Sequence, residues 1–80
     1  MKKKICILGS TGSIGKTTLK IIQKDKKKYK IILLTTNKNI QLLKNQAIKF
    51  NVKNLIVFDK NKFNQLKKIF RNRKINIFNN

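Results

Sequence analysis

Short apolar runs alternate along this chain with segments whose apolar residues recur at helical spacing. The runs predict four strands, at residues 5–8, 29–35, 55–58 and 75–78. Residues 5–8 and 55–58 are continuously apolar, which is typical of parallel strands buried on both faces. The predicted order of elements is therefore β-α-β-α-β-α-β.

Each of the three intervening helices has one predicted apolar face. These inner faces are Ile14, Thr18, Ile21 and Ile22 in the first helix, Ile40, Leu43, Ala47 and Phe50 in the second, and Phe63, Leu66 and Phe70 in the third. The second helix can be capped by Asn37 or Asn39, and the third by Asp59 or Asn61.

The connections between strands are long enough only for crossovers, which predicts a parallel sheet with right-handed βαβ units. The predicted fold class is therefore α/β, a Rossmann-like parallel sheet that is incomplete. In the usual strand order, the first two helices cover one face and the third crosses to the other. We expect one sheet face to be largely uncovered and the fourth strand to be an open edge. Residues 1–80 are expected to be the front portion of a larger protein, or to need a partner.

A turn with the pattern G-x-x-G-x-x-G joins the first strand to the first helix. Gly9 permits a sharp exit from the strand, Gly12 lets backbone approach a phosphate, and Gly15 lets the helix pack closely. Backbone N–H groups and the positive end of the helix dipole then converge on one point, and the hydroxyl side chains of the turn can donate to phosphate oxygens. The candidate cofactor-binding residues of this turn are Gly9, Ser10, Thr11, Gly12, Ser13, Ile14 and Gly15.

Two other interpretations of this turn stay open. A Walker A loop would need glycine five positions before Gly15, where this chain has Ser10, and no Walker B acid follows the third strand. The turn could also be glycine-rich without binding any ligand.

The end of the second strand distinguishes between nicotinamide cofactors. An NAD site places Asp or Glu there to bind the ribose hydroxyls, whereas this chain has Asn37, Lys38 and Asn39. No acid is present to repel a 2′-phosphate, and Lys38 with the two amides can bind one. This favours NADP over NAD. In the alternative interpretation, the asparagines only cap a helix and Lys38 is solvated.

The composition limits the chemistry that this chain can perform. It has 80 residues with no histidine and only two carboxylates, Asp25 and Asp59. The usual general base and the clustered oxygen ligands of Mg²⁺ or Ca²⁺ are therefore missing. We expect no catalytic residue and no metal site in the chain.

The net charge of +19 raises the alternative of a small basic nucleic-acid-binding module. The lysines are spread along the whole chain, and an A/T-rich genome also produces such a composition. The phenylalanines lie where core packing explains them, which leaves no stacking platform. Non-specific nucleic-acid binding is still expected at low salt.

Cys6 is the single cysteine, and its position within the first strand predicts a buried, small apolar residue. An intrachain disulfide is impossible, which fits a reducing compartment. The first apolar run is too short for a signal peptide, and no transmembrane segment is predicted. A cytoplasmic location is expected.

The string L-G-S-T-G-S-I-G at positions 8–15, followed by T-T-L at 17–19, resembles the amino terminus of the 1-deoxy-D-xylulose 5-phosphate reductoisomerase family. Further similarity to that family's second strand and helix lies in residues 29–39 and in Leu42, Leu43, Gln46, Ala47 and Phe50. The resemblance implies that residues 1–80 are the amino-terminal part of an NADPH-binding domain, without the catalytic and carboxyl-terminal domains.

The family resemblance also implies an activity, which is NADPH-dependent conversion of 1-deoxy-D-xylulose 5-phosphate to 2-C-methyl-D-erythritol 4-phosphate in isoprenoid precursor synthesis. The full-length enzyme would use Mg²⁺ or Mn²⁺, bind a phosphorylated sugar and form a homodimer. Family cofactor contacts carry onto Thr11, Gly12, Ser13 and Ile14 at the pyrophosphate, and onto Lys38 and Asn39 near the 2′-phosphate. Asn37 stands where the family usually has glycine. The family's metal and substrate sites fall beyond residue 80, so we expect no turnover from this chain alone.

Overall fold

The computed structural model of this protein describes residues 2–71 and 73–79; Met1, Asn72 and Asn80 of the expected 1–80 unit lie outside the described residues. Strands and helices alternate as β1 (Lys3–Ile7), α1 (Ser13–Gln23), β2 (Tyr29–Thr36), α2 (Ile40–Phe50), β3 (Asn54–Val57), α3 (Lys60–Ile69) and β4 (Asn76–Phe78). The α/β class and the predicted order of elements are confirmed.

All neighbouring strands pair in parallel, in the order β1-β2-β3-β4. The expectation that the third helix crosses to the opposite face is wrong. Because β4 pairs with β3, the strand order continues in one direction, and a right-handed crossover then keeps α3 on the same face as α2. The contact between α2 and α3 agrees with this placement. The connection from β3 to β4 is long enough for either direction, so its length could not distinguish them.

The core lies between this sheet and its helices. Ile7, Leu34, Leu55 and Ile77 form one row across the four strands, and Leu34 and Leu55 are completely buried. Helices α2 and α3 cover this row with the inner faces that the sequence predicted. Of those residues, Leu43, Ala47, Leu66 and Phe70 are buried, while Ile40, Phe50 and Phe63 pack at the margin of the core.

The inner face predicted for α1 is largely wrong. Gly15, Leu19 and Ile22 are buried, whereas Ile14 is 83% exposed and Ile21 is 64% exposed. Apolar residues occupy two faces of this helix, so their periodicity could not show which face meets the sheet. The close approach of Gly15 to the preceding turn selects the face that contains positions 15, 19 and 22.

The opposite face of the sheet is not covered by any helix of the described residues. Residues that point away from the core include Ile56, which is half-buried, and Phe58 and Phe78, which are 45% and 51% exposed. Cys6 is exposed on this face, so the expectation that it is buried is wrong for this chain. The expectation that core packing accounts for every phenylalanine is also wrong. Both predictions treated these strands as buried on both faces, although one sheet face was itself expected to be largely uncovered.

Candidate functional site

The glycine-rich turn, residues 9–15, follows the carboxyl end of β1 and is attached to the end of β2. Gly9 has φ of +69°, in the left-handed region where side chains are strained, which confirms its role at the strand exit. Its amide donates to Thr35 Oγ1 at 2.8 Å, and the Ser10 amide donates to the Thr35 carbonyl oxygen at 2.9 Å. β2 therefore fixes the first two residues of the turn.

Gly15 is required by a close approach between α1 and this turn. A Cβ atom at this position would lie 2.5 Å from the Gly9 carbonyl oxygen and 2.6 Å from Ser10 Cα. These are backbone atoms, which cannot move aside as a flexible side chain could. The predicted close packing is thus confirmed, with the turn rather than the sheet as the closest neighbour. At Gly12, in contrast, a Cβ would meet only the Gly9 carbonyl oxygen, at 3.4 Å.

Helix α1 begins without a capping side chain. Gly12 is its N-cap residue, with φ of −79° and ψ of 174°, and has no side chain to offer. Within residues 2–71 and 73–79, the amides of Thr11, Ser13, Ile14 and Gly15 donate no hydrogen bond. These free donors lie at the positive end of the helix dipole, an arrangement that binds anions.

Two of the three hydroxyls in the turn have partners inside the protein. The Ser10 hydroxyl is completely buried, 2.8 Å from Gln46 Oε1 and 3.3 Å from the Thr35 carbonyl oxygen. The Thr11 and Thr36 hydroxyls lie 2.6 Å apart. The exposed Ser13 hydroxyl is therefore free to donate to a phosphate, whereas the Ser10 hydroxyl donates within the protein and the Thr11 hydroxyl is paired with that of Thr36.

Gln46 is a part of this arrangement that the sequence analysis did not identify. It lies on α2 and is 7% exposed, and its Nε2 donates to the Ser10 carbonyl oxygen at 2.9 Å. The available signal was a polar residue between Leu43 and Ala47 on the inner face of an amphipathic helix.

Asn37, Lys38 and Asn39 are exposed and follow β2, next to the strand end that holds the turn. Asn39 caps α2, accepting from the Leu42 amide at 3.2 Å, which confirms one of the two predicted caps. Asn37 does not have a positive φ; among the described non-glycine residues only Asn51 does. An asparagine therefore fits here without strain where the resembling family usually has glycine.

The sequence of this chain matches a known protein family. A family model described as 1-deoxy-D-xylulose 5-phosphate reductoisomerase matches residues 5–79. The chain belongs to this family. The reductoisomerase of Pelagibacter ubique (strain HTCC1062) is 55% identical over 78 residues, which are 98% of this chain and 20% of that protein. The reductoisomerase of Thermodesulfovibrio yellowstonii is 41% identical over 73 residues, 91% of this chain and 19% of that protein.

Solved structures of reductoisomerases have the same fold over this segment. The enzyme from Zymomonas mobilis in complex with NADPH has a TM-score of 0.91 and 30% identity, covering 99% of this chain and 21% of that one. A reductoisomerase in complex with NADPH, fosmidomycin and magnesium has a TM-score of 0.90 and 28% identity, covering 98% of this chain and 19% of that one. This chain thus spans about a fifth of the length of the reductoisomerases that it matches.

One cleft of this reductoisomerase segment lies away from the glycine-rich turn. It has a volume of about 480 Å³ and is lined by residues that include Lys2 and Tyr29, at the amino ends of β1 and β2, and Phe50, the last residue of α2. The turn lies at the carboxyl ends of the strands, where ligands of open α/β sheets bind. The turn, and not this cleft, therefore lies where the ligand of such a fold is expected.

The described residues hold few acidic groups near the site. Asp25 forms an exposed ion pair with Lys28 at 3.4 Å, and Asp59 accepts from the Lys62 amide at 3.0 Å as the cap of α3, one of the two predicted caps. Within residues 2–71 and 73–79, no three His, Cys, Asp or Glu side chains come together as metal ligands. None of the described helices has the length and apolar character needed to cross a bilayer.

Proposed function

We propose that this chain binds NADPH and forms the amino-terminal part of the cofactor-binding domain of a reductoisomerase. The enzyme would convert 1-deoxy-D-xylulose 5-phosphate to 2-C-methyl-D-erythritol 4-phosphate. One observation carries the proposal. The turn before α1 has free amides and no capping side chain, in a segment that matches an NADPH-bound relative at a TM-score of 0.91.

The diphosphate of the cofactor would lie against the amides of Thr11, Ser13 and Ile14. Each amide can donate to a phosphate oxygen, and the dipole of α1 adds favourable interaction with negative charge. Gly12, at the centre of this group, is exposed and has no Cβ to keep a phosphate away from the backbone. The Ser13 hydroxyl supplies one more donor.

Lys38, with Asn37, would bind the 2′-phosphate that distinguishes NADPH from NADH. Both side chains are exposed, and no carboxylate occurs among residues 35–39 to repel the phosphate. Asn39 can contribute through its amide nitrogen, because its oxygen accepts the cap hydrogen bond from Leu42.

The rest of the reaction belongs to the full-length enzyme. Mg²⁺ or Mn²⁺, the phosphorylated sugar and a homodimer interface are proposed for that enzyme on the basis of the family. This chain contains no histidine and two carboxylates, so we expect it to bind cofactor without turnover. We also propose a cytoplasmic location, supported by the free thiol of Cys6.

Titration of the purified chain with NADPH and with NADH tests the proposal. NADPH should bind more tightly, and Lys38→Glu should reduce that preference by about tenfold, because a charge-assisted contact to the 2′-phosphate becomes repulsive. Isothermal titration calorimetry of both cofactors measures the ratio of affinities.

Lys68→Glu on the exposed surface of α3 makes the same change in net charge away from the site. It should lower both affinities slightly and leave their ratio unchanged. Equal affinity of the wild-type chain for the two cofactors would contradict the role of Lys38.

A further inference from the structure

The side-chain amide of Gln46 binds both polar groups that Ser10 presents to α2. Oε1 of Gln46 accepts from the Ser10 hydroxyl at 2.8 Å, and Nε2 donates to the Ser10 carbonyl oxygen at 2.9 Å. Ser10 is completely buried and Gln46 is 7% exposed, so water does not compete effectively for either hydrogen bond. One side chain on α2 therefore holds a single residue of the turn by two contacts.

These contacts complete the hydrogen bonding of Ser10. Its amide already donates to the Thr35 carbonyl oxygen at 2.9 Å, and the preceding Gly9 amide donates to Thr35 Oγ1. The main-chain N–H, the main-chain carbonyl and the hydroxyl of Ser10 thus all have partners outside the turn. The direction in which the chain leaves Ser10 is set by β2 on one side and by Gln46 on the other.

The free amides of the turn follow directly after this fixed residue. Thr11 is the next residue, and Ser13 and Ile14 begin α1. We propose that Gln46 is a positioning residue for the cofactor site, which acts through Ser10 to orient these three amides toward the diphosphate. This inference rests on the proposed function and adds a residue that does not itself touch the cofactor.

The chemistry of this position requires glutamine rather than a residue that only fills space. Position 46 lies between Leu43 and Ala47 on the inner face of α2, where packing alone would favour an apolar side chain. Methionine has a similar length but neither a donor nor a good acceptor. An ionised glutamate would place a carboxylate oxygen against the Ser10 carbonyl oxygen, whereas a protonated glutamate can both donate and accept, as glutamine does.

The first experiment needs no ligand and compares amide hydrogen exchange in the wild-type chain and in Gln46→Met. The Gly9 and Ser10 amides should exchange about tenfold faster in the variant, since loss of the contacts from α2 loosens the turn. Exchange of the Leu55 and Val57 amides, which lie in β3 at the centre of the sheet, should not change. Unchanged exchange at Gly9 and Ser10 overturns the proposal, and so does an equal increase at all four amides, which indicates a role in global stability only.

The second experiment uses Gln46→Glu and measures the affinity for NADP⁺ by calorimetry between pH 5 and pH 7. Burial beside a carbonyl raises the pKa of this carboxyl, so the group is protonated at the acid end and ionised at the neutral end. Affinity should be close to wild type in acid and fall by about tenfold as the carboxyl ionises. The wild-type chain corrects for titration of the cofactor itself.

Gln65→Glu, on the exposed side of α3, is the matched control with the same change of side chain. It should follow the wild-type pH profile, and a Gln46→Glu profile that does the same overturns the proposal. If the wild-type chain shows no saturable NADP⁺ binding, the proposed function fails, and the exchange experiment still decides whether Gln46 holds the turn.

Discussion

The amino end of α1 differs from those of α2 and α3, although all three helices follow parallel strands. α2 and α3 begin with side chains, Asn39 and Asp59, that accept hydrogen bonds from first-turn amides. α1 begins with Gly12 and has no such bond. A capping side chain contributes about 1 kcal/mol of stability, which α1 does without. Two of the helix ends are thus closed by side chains of the chain itself, and the uncapped end of α1 is the one that we propose binds the diphosphate.

Gly15→Ala tests the uncapped amino end of α1 and has the largest expected effect on stability. The added Cβ would lie 2.5 Å from the Gly9 carbonyl oxygen, so α1 must move away from the turn or the turn must distort. We expect a loss of about 3 kcal/mol in the free energy of unfolding, measured by urea denaturation with circular dichroism. Gly12→Ala is the control, because its Cβ has space. It should lower the free energy of unfolding by only a few tenths of the loss expected for Gly15→Ala. Equal losses for the two variants would contradict the close approach at Gly15.

Asp59→Ala tests the amino end of α3, which a side chain caps. Removing the carboxylate leaves the Lys62 amide without its 3.0 Å acceptor, and we expect a loss of about 1 kcal/mol in the free energy of unfolding. The same denaturation experiment measures it. Asp25→Ala removes the other carboxylate and makes the same change in net charge, but its ion pair with Lys28 is exposed and should contribute little. A loss as large for Asp25→Ala would show that net charge, rather than the cap, is responsible.

Gly12→Asp adds a capping side chain to the amino end of α1 and should have the smallest effect on stability. The backbone of Gly12 is extended and accepts a side chain, so the new carboxylate can cap α1 and add a few tenths of a kcal/mol. The same carboxylate would occupy the proposed anion site, and affinity for NADPH, measured by calorimetry, should fall by more than about tenfold. Gly12→Asn provides a cap without charge and separates occupancy from repulsion. Unchanged affinity in both variants would mean that the diphosphate lies elsewhere.

Local chemistry explains why much of the fold was predictable from sequence. Asn39 and Asp59 cap helices through amides three residues along the chain, and Gly9 and Gly15 act within a single turn. Such features depend on short sequence spacings, so patterns of a few residues are sufficient to find them. The inner faces of α2 and α3 were predictable for the same reason, since each helix has one dominant apolar face.

Contacts between distant parts of the chain account for what the sequence analysis missed. The direction of the crossover to β4 depends on which sheet edge is free, and the periodicity of α3 does not contain that information. The burial of Cys6 depends on whether anything covers the second face of β1. The hydrogen bonds from Gln46 to Ser10 join residues 36 positions apart. A polar residue on the predicted inner face of a helix is a hint of them, but it does not name the partner.

Phe58 and Phe78 form an exposed apolar patch on the uncovered face of the sheet, in a molecule whose net charge is +19. Repulsion between molecules of this charge should keep these exposed phenylalanines apart at low ionic strength. At 0.1 M salt the charges are felt over only about 10 Å, and at higher ionic strength over less. Because salt does not screen the packing of the buried core, aggregation at high ionic strength would begin from folded molecules rather than from unfolded ones.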